Sequence, residues 1–171
     1  MASTLRMLTV LLACLAAGGC ASRDPLDDKV AADSPIALQM WLSRAPGRLS
    51  PGQMGDLREA IQELRFAIMA QGTVSGSEPI EAALCGGIDG RSVREVLIAG
   101  FGNEAHRLGD ERRLLAVSAR ENARLRTRPG DGASLEYLER ERDRVARRLE
   151  EAAEGEERAK RIMADYSQQF D

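Results

Sequence analysis

Apolar positions in this chain recur mostly at helical spacing. Leu57, Ile61, Leu64 and Ile68 advance by steps of four, three and four, which places them on one face of an α-helix. Ser50, Pro51 and Gln53 stand just before them: serine as N-cap, proline at the first helical position, glutamine closing an S-x-x-Q capping box. A helix is therefore predicted from about residue 50 to Gln71. Ser34 and Pro35 give the same start signal ahead of Ile36, Met40, Trp41 and Leu42, predicting a shorter helix that ends at APGRLSPG. GTVSGSEP reads as a loop, Glu78 to Leu84 as a short helix stopped by Gly86 and Gly87, and Ser92 with Glu95 as a second capping box.

From Ser92 no proline occurs until Pro129, which allows a helix of about 36 residues and about 54 Å. Gly100, Gly102 and Gly109 each weaken it by about 1 kcal/mol relative to alanine, so a kink or break is expected near AGFGN. Phe101, Leu108, Leu115 and Asn122 recur every seven residues, with Ala105, Ala119 and Leu125 alongside. PGDG at 129–132 makes a turn. After it Leu135, Leu138, Arg142, Val145, Leu149, Ala152, Glu156, Ala159, Met163, Tyr166 and Phe170 occupy successive a and d positions, the pattern of a coiled-coil seam. Because the turn is short, the natural partner is the preceding helix folded back antiparallel. A turn centred near residue 130 sets Leu138 near Asn122, Val145 near Leu115, Ala152 near Leu108 and Ala159 near Phe101. The polar seam positions Asn122 and Arg142 either fix register or partner choice at some cost in stability, or are plain imperfections of the seam. The expected fold is all-α: a small helical base, residues 34–101, and a long antiparallel coiled-coil hairpin, residues 92–170. No period of 20 to 50 residues repeats, which speaks against a solenoid.

The N-terminal end follows different rules. One basic residue, Arg6, precedes an apolar run from Met7 to Ala17 that breaks at Gly18 and Gly19. A membrane span needs roughly 17 to 25 apolar residues, so this run has the layout of a secretory signal rather than of a retained span. Ala17, Gly18, Gly19 and Cys20 resemble the lipobox of bacterial lipoprotein precursors, with alanine where the family most often has leucine. The resemblance covers only these first residues and implies cleavage of 1–19, acylation of Cys20 and a membrane anchor. Two or three acyl chains, at about 0.8 kcal/mol per buried methylene, make such an anchor permanent. In the enterobacterial sorting pattern an aspartate after the acylated cysteine retains the protein at the inner membrane. Ala21 stands there, so the periplasmic leaflet of the outer membrane is favoured. Residues 20–33, polar and without apolar period, are expected to form an acylated, flexible tether.

Charge and side-chain chemistry narrow the function further. The formal net charge of −3 includes Arg6, so the mature chain is more acidic still, and no basic block points to nucleic acid. With Cys14 removed and Cys20 acylated, Cys85 is the single remaining thiol, either a small buried hydrophobe or a reactive group. The only histidine is His106, in a charged helical stretch with no nucleophile elbow. One histidine and one free cysteine make a poor zinc set, GFG at 100–102 lacks the βαβ setting of a phosphate loop, and IDGRS lacks the alternating ligands of a calcium loop. No cofactor, metal or catalysis is expected. The expected function is a non-enzymatic structural or adaptor lipoprotein that contacts an envelope protein, or a second copy, through its hairpin. The alternative is a carrier of apolar ligands or lipid, with Trp41, Phe66, Met69 and Phe101 lining its pocket.

Overall fold

The computed structural model describes residues 24–125 and 132–168. Cys20, most of the turn at 129–132 and Phe170 lie outside them. The described residues are helical, with one isolated backbone bridge between Lys29 and Ser92 and no other β structure among them. The helices are α1 (Pro35–Arg44), α2 (Pro51–Gln71), α3 (Ser77–Ile88), α4 (Val93–Arg124) and α5 (Gly132–Gln168).

Helix starts follow local chemistry. Ser34 Oγ accepts from the Ala37 amide, and Pro35 occupies the first position of α1. Both capping boxes close: Ser50 with Gln53 at 3.2 and 2.9 Å, Ser92 with Glu95 at 3.2 and 2.6 Å. The latter bonds hold the Glu95 carboxyl below its usual range, the Ser92 amide contributing most. Gly72, at φ 63°, closes α2 in a left-handed turn that side chains resist. α3 differs from expectation. It begins within the predicted loop and runs through Gly86 and Gly87 to Ile88, because Leu84, Cys85 and Ile88 are all drawn into the core.

One core joins the base to both long helices. Leu57, Ile61, Leu84, Ile88, Val93, Val96, Leu97 and Phe101 are buried together with Ala159 and Tyr166 of α5. Complete burial of a side chain such as Leu57 or Phe101 contributes roughly 2 kcal/mol. No break occurs at AGFGN, since α4 is continuous there. Gly100 instead lets α2 and α4 approach closely: a Cβ at that position would lie 2.4 Å from Ala60 Cα and Cβ.

Residues 24–33, expected as part of a loose tether, are packed. Leu26, Val30 and Ala32 are buried. Backbone bonds run from Val30 to Arg91, Gly90 to Val30 and Val93 to Asp28, and the Ala32 amide donates to Asp89 Oδ1 at 2.7 Å. Arg94, 2% exposed, reaches Asp24 at 2.5 Å and Asp27 at 3.4 Å and donates to the Tyr166 carbonyl at 3.1 Å. Burying a guanidinium is costly without such partners, and here they include the N-terminal strap and the end of α5.

α4 and α5 lie side by side with opposite chain directions. Gly102 faces Met163, Leu108 faces Gly155, and Arg142 meets Asn122. The register differs by about one helical turn from that expected, which set Ala152 at Leu108 and Leu138 at Asn122. The physical reason lies at the end of α4. Arg142 donates to the carbonyls of Asn122, at 2.9 and 3.3 Å, and of Leu125, at 3.4 Å. Carbonyls of the last helical turn lack partners within the helix, and a cation there also complements the helix dipole.

Candidate functional site

The surface with most to explain is the distal part of α4 and α5. α2 packs along α4 only as far as Asp110: its last turns, through Phe66, Ala67, Ala70 and Gln71, form a cleft of about 420 Å³ with Asn103, His106, Arg107 and Asp110. Beyond that level, among the described residues, the two long helices continue without a third. Val145 and Ala152 are buried there but lie outside the main core cluster, while Leu114, Val117, Leu125, Leu135 and Tyr137 are exposed. Large apolar side chains grouped on a surface are the usual mark of a contact site.

At the lower edge of this region α2, α4 and α5 enclose a charged cluster. Arg107 pairs with Glu63 at 2.7 Å, and Arg158 pairs with Glu59 at 2.6 Å. Glu104 is 6% exposed; its Oε1 lies 3.6 Å from Arg158, and its Oε2 has no hydrogen-bond partner among the described residues. Burial, then the nearby Glu59 carboxylate, pushes the Glu104 carboxyl above its usual range, and Arg158 only partly opposes this. Farther up, Glu156 occupies a seam position yet stays charged. Gly109 leaves it room, and bonds from Lys160 and Arg112 hold its carboxyl low, Lys160 contributing most.

The residues singled out from sequence fall in separate places. Asn122 and Arg142 meet, through the Asn122 main chain. Cys85 is free and buried in α3, with its thiol raised by burial and by Glu81, as for an inert side chain. His106 is solvated on α4, 3.4 Å from Asp110, and lines the Phe66 cleft, which Cys85 does not. Trp41, Phe66, Met69 and Phe101 do not gather. Phe101 fills the core, Trp41 borders a cleft of about 170 Å³ with Arg44 and Arg48, Phe66 borders the other cleft, and Met69 is exposed. Among the described residues no group of three or more His, Cys, Asp or Glu is arranged to hold a metal, and no helix is long and apolar enough to cross a membrane.

Arg94, Glu104 and the off-seam Leu114 and Val117 went unmarked in the sequence. Glu104 had a signal, standing four residues after Gly100 and three before Arg107 on the stripe that meets α2. Leu114 and Val117 had another, as apolar residues outside the heptad seam in an otherwise charged helix. No protein-family model matches the chain, and no curated protein or solved structure matches it either, so its functional reading comes from its own residues.

Proposed function

We propose that the mature chain is a non-enzymatic, lipid-anchored envelope protein. Acyl groups on Cys20 hold it at the periplasmic leaflet of the outer membrane, and α4 and α5 act as an antiparallel coiled-coil hairpin that docks another helical surface. The observation that carries the reading is the distal pair itself. It extends past the end of α2 with five large apolar side chains exposed and, among the described residues, no third helix against it. The seam supports a hairpin, and the lipobox-like segment supports the anchor.

Two measurements test this reading. Cys20→Ser is expected to abolish acyl labelling and release the protein from the membrane fraction; labelling that survives the change overturns the anchor. A photo-crosslinking residue placed in cells at Leu114 or Tyr137 is expected to give a discrete protein adduct, and one at Arg44 on the base is not. Equal or absent adducts at all three positions overturn the docking role.

A further inference from the structure

α2 packs along α4 and reaches across to α5 through Asp56 and Glu59, leaving the groove between α4 and α5 open above it, and we propose that this open half is occupied by the same half of a second copy, in an antiparallel two-fold pair. This rests on the hairpin reading and names its partner. On α4, Gly100 and Arg107 meet α2, and steps of three and four residues lead on from Arg107 to Glu111, Leu114, Ser118, Glu121 and Leu125. On α5, Tyr166 and Arg158 meet α2 through Asp56 and Glu59. Through Gly155, the same steps lead back from Arg158 to Glu151, Arg148, Arg144, Glu141 and Tyr137. Ser118 of the first stripe and Glu141, Arg144 and Arg148 of the second line a single cleft of about 370 Å³. Both stripes therefore border one groove, the upward continuation of the α2 seat.

Reversed upon itself, this groove is self-complementary. On α4, Leu114 meets Leu125 of the second copy, covering two leucines that are 71% and 50% exposed. On α5, Glu141 meets Arg148 of the second copy. The first pair is centred between Ala119 and Arg120, the second between Arg144 and Val145. The Arg142–Asn122 bonds and the Leu108–Gly155 contact put those two midpoints level to within a residue. One two-fold axis thus serves both helices, which unrelated stripes would not require. Arg144 falls at the axis beside its own symmetry mate and keeps its bond to Glu141 at 2.7 Å.

Orientation follows from the base. A parallel pair would drive α2 against α2, whereas an antiparallel pair lets each tip run about 21 Å along the other until it reaches the end of α2. The groove is then filled along its whole length. Four helices replace two where, among the described residues, the two alone bury Val145 and Ala152.

The test uses the full chain in detergent, mixing one batch carrying Leu114→Cys with another carrying Leu125→Cys under mild oxidation. The mixture is expected to form a disulfide dimer at least tenfold faster than either batch alone, and Arg144→Cys is expected to crosslink with itself. Chain without introduced cysteines is the control, Cys85 being buried. Glu141→Arg is expected to weaken the dimer seen in sedimentation at least tenfold, and adding Arg148→Glu to restore it. Helical circular dichroism should stay unchanged, which separates lost pairing from lost folding. Leu114→Cys crosslinking with itself as fast as the mixture, or a monomer at 100 μM with no crosslink, overturns the pairing. A monomeric chain that still gives a Leu114 adduct to a different protein in cells overturns this inference and leaves the docking role standing.

Discussion

Two residues show how little room the α2–α4–α5 contact leaves. In an open helix Gly100→Ala would gain about 1 kcal/mol. Here the added carbon meets Ala60 Cα, Cβ and O within 2.6 Å, and backbone cannot rotate away. A net loss of roughly 2 kcal/mol is expected in urea unfolding, and Ala60→Gly should not rescue it, because the Ala60 Cα and carbonyl remain in the way. Gly102→Ala, whose nearest neighbour is Met163 Sδ at 3.6 Å, is expected to be neutral or stabilising, so the pair separates crowding from propensity. Glu104 is tuned in the other direction. Its carboxyl faces Glu59 and Glu63 on α2, Arg107 on α4 and Arg158 on α5, and its pKa is raised. A folded-state pKa above the unfolded one means the fold holds that proton more tightly, so the contribution is present at acidic pH and fades as pH rises through the folded value. Glu104→Gln, which mimics the protonated form, is therefore expected to raise the melting temperature at pH 7 and above. The gain should shrink toward pH 4; an equal gain at both would mean Glu104 titrates normally.

At the scale of elements, strength lies in the caps and in contacts remote in sequence. Asp24 and Asp27 are partly exposed, yet the guanidinium they partner is buried. Changing both to alanine takes two carboxylates away from the buried Arg94 guanidinium and is expected to cost about 2 kcal/mol, with residues 24–33 becoming the first site of limited proteolysis. Unchanged protease resistance would mean that Leu26, Val30 and Ala32 hold the strap alone. This element was invisible in the sequence for a physical reason. Its three buried apolar residues follow neither helical nor strand period, and what seats them is an arginine about 70 positions away. Helices announced by local chemistry were legible, since Ser34-Pro35, Ser50/Gln53 and Ser92/Glu95 each satisfy amides within one turn. The glycines of α4 were misread because propensity records their cost in an isolated helix and nothing of the neighbour they admit. The relative register of α4 and α5 missed by a turn, as heptads fix which faces meet but not how far the helices slide. That distance is set by Arg142 seeking the carbonyls that end α4. Asn122 and Arg142 were visible as exceptions to the seam, though the bond between them uses a main-chain oxygen that no side-chain pattern reveals.

The whole molecule divides into two regimes along one pair of helices. Below Asp110 five helices and the strap bury a shared core; above it two helices meet over Val145, Ala152 and partly buried Leu115, Leu138 and Leu149. Local stability follows buried apolar contact, so opening free energy should fall from base to tip. Amides of residues 94–108 and 155–166 are expected to exchange only through global unfolding. Those of 114–124 and 136–148 should exchange at least a hundredfold faster in dilute, monomeric protein. Pairing of two copies would cover the distal helices and leave the core of the base as it is, so raising the concentration should slow exchange in the distal set alone. Uniform protection along both helices at every concentration would mean that the long pair is one cooperative unit, with no partner needed to complete it.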